Sequence, residues 1–439
     1  MSLRILHTAD WHLGQTFHGY DRDSEHAAFL DWLLATLIAH QPDAVLLAGD
    51  VFDTVNPSAL SQRRFYNFLA ASRAALPKVQ FVITAGNHDA GARLEAPAGL
   101  FEAFQIRVVG TVPRDASGQL QPEQFIVPLS NATGAVEALV LAVPFLRPSD
   151  VPAIPDAKDP YLDGIKKLYS LATAAAEQQR ETMHPQAALI ALGHCHLSGA
   201  TESQDSERRL IIGGAESLRP DTFPAALAYV ALGHLHKPQE IDGGRIRYCG
   251  SPLPLSFSER DYKHRVLQLT VTEGRVTDVM TLSIPRFAPL MRVPSRDAVA
   301  LDDVLQQLAT LAEGSTVASA QWPFLEVHVL DDGPDPRRRH RIETALHGKA
   351  VRLASIKLVA PAREGINATP HANAAALVDA ATLNTLDAET LMTEAYQEKY
   401  GAPPGPKLLA CLREILLSET TVDTARPVAP ATTATASRA

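Results

Sequence analysis

Five times in this chain an apolar run of strand length stops abruptly in glycine, aspartate, asparagine or histidine. Ile5-Leu6-His7-Thr8-Ala9 runs into Asp10-Trp11-His12, and Ala44-Val45-Leu46-Leu47-Ala48 into Gly49-Asp50-Val51-Phe52-Asp53. Phe81-Val82-Ile83-Thr84-Ala85 ends in Gly86-Asn87-His88-Asp89. Ile190-Ala191-Leu192 ends in Gly193-His194-Cys195-His196, and Val230-Ala231-Leu232 in Gly233-His234-Leu235-His236. Alternate residues of a strand share a face, so Asp10 and His12 point at one spot beyond the strand end. In an open α/β sheet the ligand crevice lies just outside the carboxyl ends of the strands. The pattern therefore predicts that all five endings converge there.

The segments between these runs fit that arrangement. Residues 24–39 and 57–75 read as amphipathic helices, the first with Phe29, Leu30, Leu33, Leu34 and Leu37 on its apolar face. Further strands are expected at 106–109, 138–144, 187–192, 210–213, 227–232, 266–271 and 275–283, giving an α/β layered sheet core over residues 1–285. Residues 286–362 read as β-α-β-α-β, a small α/β capping domain. An Ala/Asn/Pro-rich linker at 363–386 precedes two short helices within 387–418, carrying Met392, Tyr396 and Tyr400, then Leu408, Leu412, Ile415 and Leu416. The Ala/Thr/Pro-rich tail, 419–439, is expected to be disordered.

Composition narrows the function. Cys195, Cys249 and Cys411 are scattered without paired spacing, so a metal here is held by nitrogen and oxygen. The net charge of −9 has the wrong sign for nucleic-acid binding by bulk electrostatics, so such a role needs a local basic surface, a metal or a partner. Arg337-Arg338-Arg339-His340-Arg341 is the densest basic run; it reads either as a DNA-backbone contact or as a solvated helix face. Gly401 to Lys407 only superficially resembles a phosphate-binding loop, so ATP dependence would have to come from another chain. No stretch approaches a membrane span, and Met1-Ser2-Leu3-Arg4 has no signal-peptide character, which predicts a cytoplasmic protein.

The residue types suit one chemistry. A carboxylate can bridge two cations about 3.5–4 Å apart, while imidazoles and an amide complete the shells and leave room for water and substrate. Mixed oxygen and nitrogen donors suit Mn²⁺, Fe or Zn²⁺.

Asp10-x-His12, Gly49-Asp50, Gly86-Asn87-His88-Asp89, a Gly-His step and Gly233-His234-x-His236, in this order, resemble the calcineurin-like metallophosphoesterase superfamily. The longer stretches Ile5 to Gln15, Ala48 to Thr54 and Tyr248 to Phe257 are similar to its SbcD family, the nuclease subunits of bacterial SbcCD complexes. That resemblance implies one metal on Asp10, His12, Asp50 and His236 and a second on Asp50, Asn87, His194 and His234, with Asp50 bridging. It makes His88 a catalytic group aimed at the phosphate, with Asp89 either orienting His88 or capping a turn. His196 competes with His194 for one ligand position, and the family pattern favours His194. The resemblance further implies two divalent ions of Mn²⁺ type, DNA as substrate, an SbcC-type ATPase bound at the C-terminal helices, and a homodimer within a heterotetramer. It implies ATP-dependent 3′→5′ exonuclease action on duplexes and endonuclease cutting of single strands and hairpins, in DNA repair and recombination. A small-ester phosphatase or phosphodiesterase, and a non-catalytic DNA-end scaffold, are the competing readings.

Overall fold

The computed structural model describes residues 2–203, 217–314 and 319–360, with a few positions beyond (393, 396–397, 403–405 and 408–409). The expected strand at 210–213, most of the C-terminal helices, the linker and the tail lie outside the described residues. Two units divide the chain at Pro361/Ala362, and the first of them carries every strand and helix named below.

The first half of the core comprises β1 (Leu3–Thr8), the short hairpin β2 (Thr16–Phe17) and β3 (Tyr20–Asp21), α1 (Asp23–His40), β4 (Ala44–Ala48), α2 (Ala59–Ala75) and β5 (Gln80–Thr84). Two one-turn helices, α3 (Gly91–Glu95) and α4 (Ala98–Glu102), lead to β6 (Ile106–Val109). The second half comprises β7 (Ile126–Ser130), β8 (Val136–Ala142), α5 (Pro160–Met183), β9 (Ala188–His194), β10 (Tyr229–Gly233), β11 (Gln239–Ile241), β12 (Ile246–Tyr248), β13 (Arg265–Thr272) and β14 (Arg275–Ser283). One six-stranded sheet has the order β14-β13-β1-β4-β5-β6 and the other β11-β12-β10-β9-β8-β7. In the first, β1, β4, β5 and β6 run parallel and the antiparallel pair β13 and β14 closes one edge; in the second, β12, β10, β9 and β8 run parallel between antiparallel edge strands β11 and β7.

Both faces of the central strands are buried, which is why they read as unbroken apolar runs. Leu3, Ile5, Ala44 and Leu46 face the other sheet and pack with Val140, Ala142, Ile190 and Leu192. Their neighbours Leu6, Val45 and Leu47 face α1 and α2, meeting Phe29, Leu33, Phe65 and Leu69. The other sheet is covered in turn by α5 through Ile165, Leu168 and Ala172, so the layers run helix, sheet, sheet, helix. The sequence reading gives no element for α5. Its start is marked by Asp159, whose carboxylate accepts from Tyr161 N and Leu162 N, with Pro160 in the first turn. Its buried residues Ile165, Leu168, Tyr169, Ala172 and Ala176 recur at helical spacing, so the signal was present and the sequence reading missed it.

The cap is a parallel three-stranded sheet, β15 (Leu290–Val293), β16 (Phe324–Leu330) and β17 (Arg352–Val359), with α6 (Leu301–Ala309) and α7 (Arg338–Ala345) packed through Val304, Leu308 and Ile342. The sequence pattern places these helices at 297–311 and 336–347, and both are shorter by two to four residues at each end. The basic run falls on α7 and is largely neutralised. Arg338 is buried and bonds Asp332 (2.8 Å) and Gly333 O, Arg339 pairs with Glu343 (2.8 Å), and Arg341 pairs with Asp302. The cap meets the core in an aromatic cluster of Phe17, Phe257, Leu290 and Phe324. The Arg352 guanidinium lies 3.5 Å from the Phe324 ring centre, and Tyr20 Oη donates to Leu353 O. Buried Arg22 braces the joint, bonding Glu25, Gln15 and Pro254 O. Among the described residues, no helix is long and apolar enough to cross a membrane.

Phe324→Ala should lower the unfolding free energy by about 3–5 kcal/mol, the usual loss for a buried aromatic ring. Urea unfolding measures it, and an unchanged midpoint would show that the ring does not pin the cap.

Candidate metal centre

β1, β4 and β5 lie side by side in one sheet, and β9 and β10 side by side in the other, with His194 paired to Gly233. Their carboxyl ends open on one edge. There the loops after β1 and β4 are zipped together: Asp10 N donates to Gly49 O (3.1 Å), His12 N to Asp50 O (3.0 Å) and Leu13 N to Val51 O (3.0 Å). Asp10 (φ 55°), His12 (φ 44°) and Asp50 (φ 49°) on this ladder, and His234 (φ 96°) just past β10, sit on left-handed backbone. Such conformations cost on the order of 1–3 kcal/mol each for non-glycine residues and cluster at functional sites. Two glycines make room: a Cβ on Gly86 would lie 2.1 Å from Asp50 Oδ1, and one on Gly49 would lie 2.2 Å from His194 Nδ1.

The side chains form three overlapping groups. Asp10, His12 and His236 offer donor atoms within 4.8 Å of one another, as do Asp10, Asp50 and His194, and His12, Asp50 and His88. Asp50 Oδ2 lies between the groups, 3.4 Å from His12 Nε2 and 3.3 Å from His194 Nε2. Asn87 Oδ1 is 2.9 Å from His194 Nε2 and 3.0 Å from His234 Nδ1, so three donor atoms converge on one point. Asp10 Oδ1 accepts from His234 N (2.9 Å), whereas its buried Oδ2 and the buried His12 Nε2 have no hydrogen-bond partner among the described residues. Orphaned buried acceptors are rare unless something else satisfies them.

Three imidazoles are fixed through their other nitrogen. His12 Nδ1–H donates to Asp53 Oδ1 (3.2 Å), His194 Nδ1–H to Ala48 O (3.0 Å) and His236 Nδ1–H to Glu259 Oε1 (3.1 Å). Metal-ligating histidines are habitually anchored in this way, which fixes tautomer and ring direction. His88, half-buried, donates Nδ1–H to Asp53 O (2.7 Å) and stands edge-on to His12 at 4.8 Å.

Charge in this cluster is out of balance. Burial pushes the Asp10 carboxyl up to about 7, and the Asp50 charge adds to it. Burial acts likewise on Asp50, but His194 and His12 outweigh it and hold that carboxyl well below the usual range. Burial lowers His12 and His234. It opposes His194 too, yet Asp50 and Asp10 lift that imidazole to about 9. The protein alone thus gathers protons where its donors crowd, and a cation meets the same demand. Donor types, orphaned lone pairs and anchored rings all fit divalent metal ions.

The profile of calcineurin-like phosphoesterases matches residues 3–238, and that of the type 5 capsule protein repressor C-terminal domain matches residues 286–400. The SbcD component of nuclease SbcCD from Rhodobacter capsulatus is 40% identical over 364 residues, spanning 82% of this chain and 88% of that protein. This chain belongs to the SbcD family. The corresponding proteins of Escherichia coli K12 and Bacillus subtilis are 34% and 35% identical, each over 75% of this chain and over 78% and 80% of their own lengths. SbcD-family proteins share the calcineurin-like phosphoesterase fold, whose chemistry depends on divalent metal ions.

The structure brings Asp10, His12, Asp50, Asn87, His88, His194, His234 and His236 together. His196 is set apart and pairs with Glu202 (3.4 Å). Asp89 is engaged by backbone amides. Its buried carboxylate accepts from Gly86 N (2.9 Å), Val51 N (3.1 Å) and Phe52 N (3.0 Å), so it holds two ligand-bearing loops together, while the His88 ring is anchored by Asp53 O. Sequence reading missed the supporting roles of Asp53 and Glu259. Asp53 had a signal, three residues after Asp50; Glu259 follows no apolar run and had none.

Glu259→Ala should weaken metal binding about ten- to a hundredfold, the usual loss when an imidazole's supporting partner is removed. Isothermal titration with Mn²⁺ reads this directly, and parental affinity would remove Glu259 from the site.

Proposed function

We propose that this chain is the nuclease component of an SbcCD-type complex, hydrolysing phosphodiester bonds at DNA ends and hairpins with two divalent ions, Mn²⁺ in the working enzyme. The observation that carries this reading is the pair of donor sets meeting at buried Asp50, beside the half-exposed His88. One ion is assigned to Asp10, His12, Asp50 and His236, the other to Asp50, Asn87, His194 and His234. The naming of the relatives as components of nuclease SbcCD supports DNA as the substrate.

When bound, such ions activate water and neutralise charge developing on phosphorus. The chain's own residues do the rest. Asp50 ties the two sets at a fixed separation. Asp53 and Glu259 keep Nε2 of His12 and of His236 turned inward. His88 has its Nδ1–H committed to Asp53 O, so Nε2 is the atom left to face substrate. From there it stabilises the phosphate and passes a proton to the departing oxygen.

The working assembly in this reading is a homodimer joined to an SbcC-type ATPase, giving ATP-dependent 3′→5′ exonuclease and single-strand endonuclease activity in repair and recombination. The ATPase is assigned to the C-terminal helices at 387–418, too short to be stable alone and so suited to docking on a partner helix.

His88→Ala should retain two metal ions per chain by elemental analysis while its turnover of DNA falls about 10²–10⁴-fold. Parental cleavage by that variant would reject the catalytic assignment. Plasmid, hairpin DNA and a small aryl phosphodiester, offered together with Mn²⁺, test the substrate; cleavage of the small ester alone would overturn DNA.

Truncation after Leu386 should abolish co-purification with the ATPase and spare Mn²⁺-dependent cleavage. A complex that survives truncation places the docking site elsewhere.

A further inference from the structure

We propose that Phe145 and Arg147 form a stacking platform for an unpaired nucleobase beside the scissile phosphate, so that the site engages bases that have left the duplex stack. This rests on the DNA reading above and deepens it.

The placement follows from the sheet. β8 runs parallel to β9, with Ala142 beside Leu192, so the residues just past its end emerge on the same edge as His194. Phe145 N donates to Ala85 O (2.8 Å), the residue that precedes Gly86-Asn87-His88, which ties this segment to the candidate metal loops. The Phe145 ring stands edge-on to the His194 ring, 6.2 Å between centres and 83° between planes. Its neighbours Val143 and Leu146 are buried, but Phe145 itself is only half-buried. A large aromatic ring is thus left partly in water beside a proposed metal ligand.

Arg147 completes the arrangement. Its guanidinium carbon lies over the Phe145 ring, 5.6 Å from the centre, and the residue is exposed. Among the described residues that guanidinium has no hydrogen-bond or ion-pair partner; only the Arg147 backbone N–H is held, by Asp150 Oδ2 (2.8 Å). The arginines of α7, by contrast, spend their charge on Asp332, Glu343 and Asp302. In a chain of net charge −9, an uncommitted cation laid over an aromatic face at the rim of the site fits an anionic, aromatic ligand. Unpaired bases stack on aromatic rings and on arginine planes, and the cation also suits the adjoining phosphate. A paired base has both faces covered by its neighbours, so only an unstacked base fits the platform.

The test uses the full chain loaded with Mn²⁺ and two single-stranded oligonucleotides of equal length, one of thymidines and one whose sugars are abasic. The parental protein should prefer the base-bearing strand, by KM, by about five- to 150-fold, the range set by base–aromatic stacking. Arg147→Ala and Phe145→Leu should each reduce that preference severalfold, and Phe145→Trp should restore it. A general loss of metal or of folding would slow both strands alike and leave the ratio in place. A parental ratio near one, or variants that keep the parental ratio, would overturn the platform and leave Phe145 as packing for His194. Failure of the parental protein to cut either strand would sink the DNA reading and this inference with it.

Discussion

Asp10 and Asp50 are buried within a few ångströms of each other, and neither has a lysine or arginine among its described hydrogen-bond partners. Two carboxylates out of water that share the His194 imidazole as their nearby positive charge are a costly arrangement for a fold to hold. Much of the surrounding structure serves that arrangement. The zipped loops fix the backbone, Asp89 gathers three amides, and the imidazoles are turned so that their remaining nitrogens face the carboxylates. His194 supplies part of the positive charge, and the orphaned Asp10 Oδ2 and His12 Nε2 leave donor atoms for a cation.

Much of this was legible because burial writes itself into sequence. Strands covered on both faces must be apolar throughout, so the switch to Gly, Asp, Asn or His marks where each one ends. The same logic explains what was hidden. Glu259 supports His236 from a turn that has no periodic signature, and its role exists only once the chain has folded back. Helix α5, by contrast, carries Ile165, Leu168, Tyr169 and Ala172 at helical spacing and was legible but missed. The basic run read as a concentration of charge, yet the acids that neutralise three of its arginines are either on the same helix or 6 and 39 residues away. The family pattern favours His194 over His196, and in the structure His196 pairs with Glu202.

The cap is coupled to this chemistry through a single turn. Phe257 belongs to the aromatic cluster that seats the cap, while Glu259, two residues on, holds His236. On the other side of the cluster, Phe17 follows the loop that begins at His12. Seating of the cap and orientation of two imidazoles therefore share the same backbone, and a shift of one displaces the other.

The hydrogen bond from His234 N to Asp10 joins residues 224 positions apart. During synthesis at ~5–20 residues per second, Asp10 waits on the order of 10–45 s before that partner emerges. Throughout this interval the early acidic half is already made and the later histidines are not. The full donor set is therefore complete only in a chain that has been read through to its second sheet.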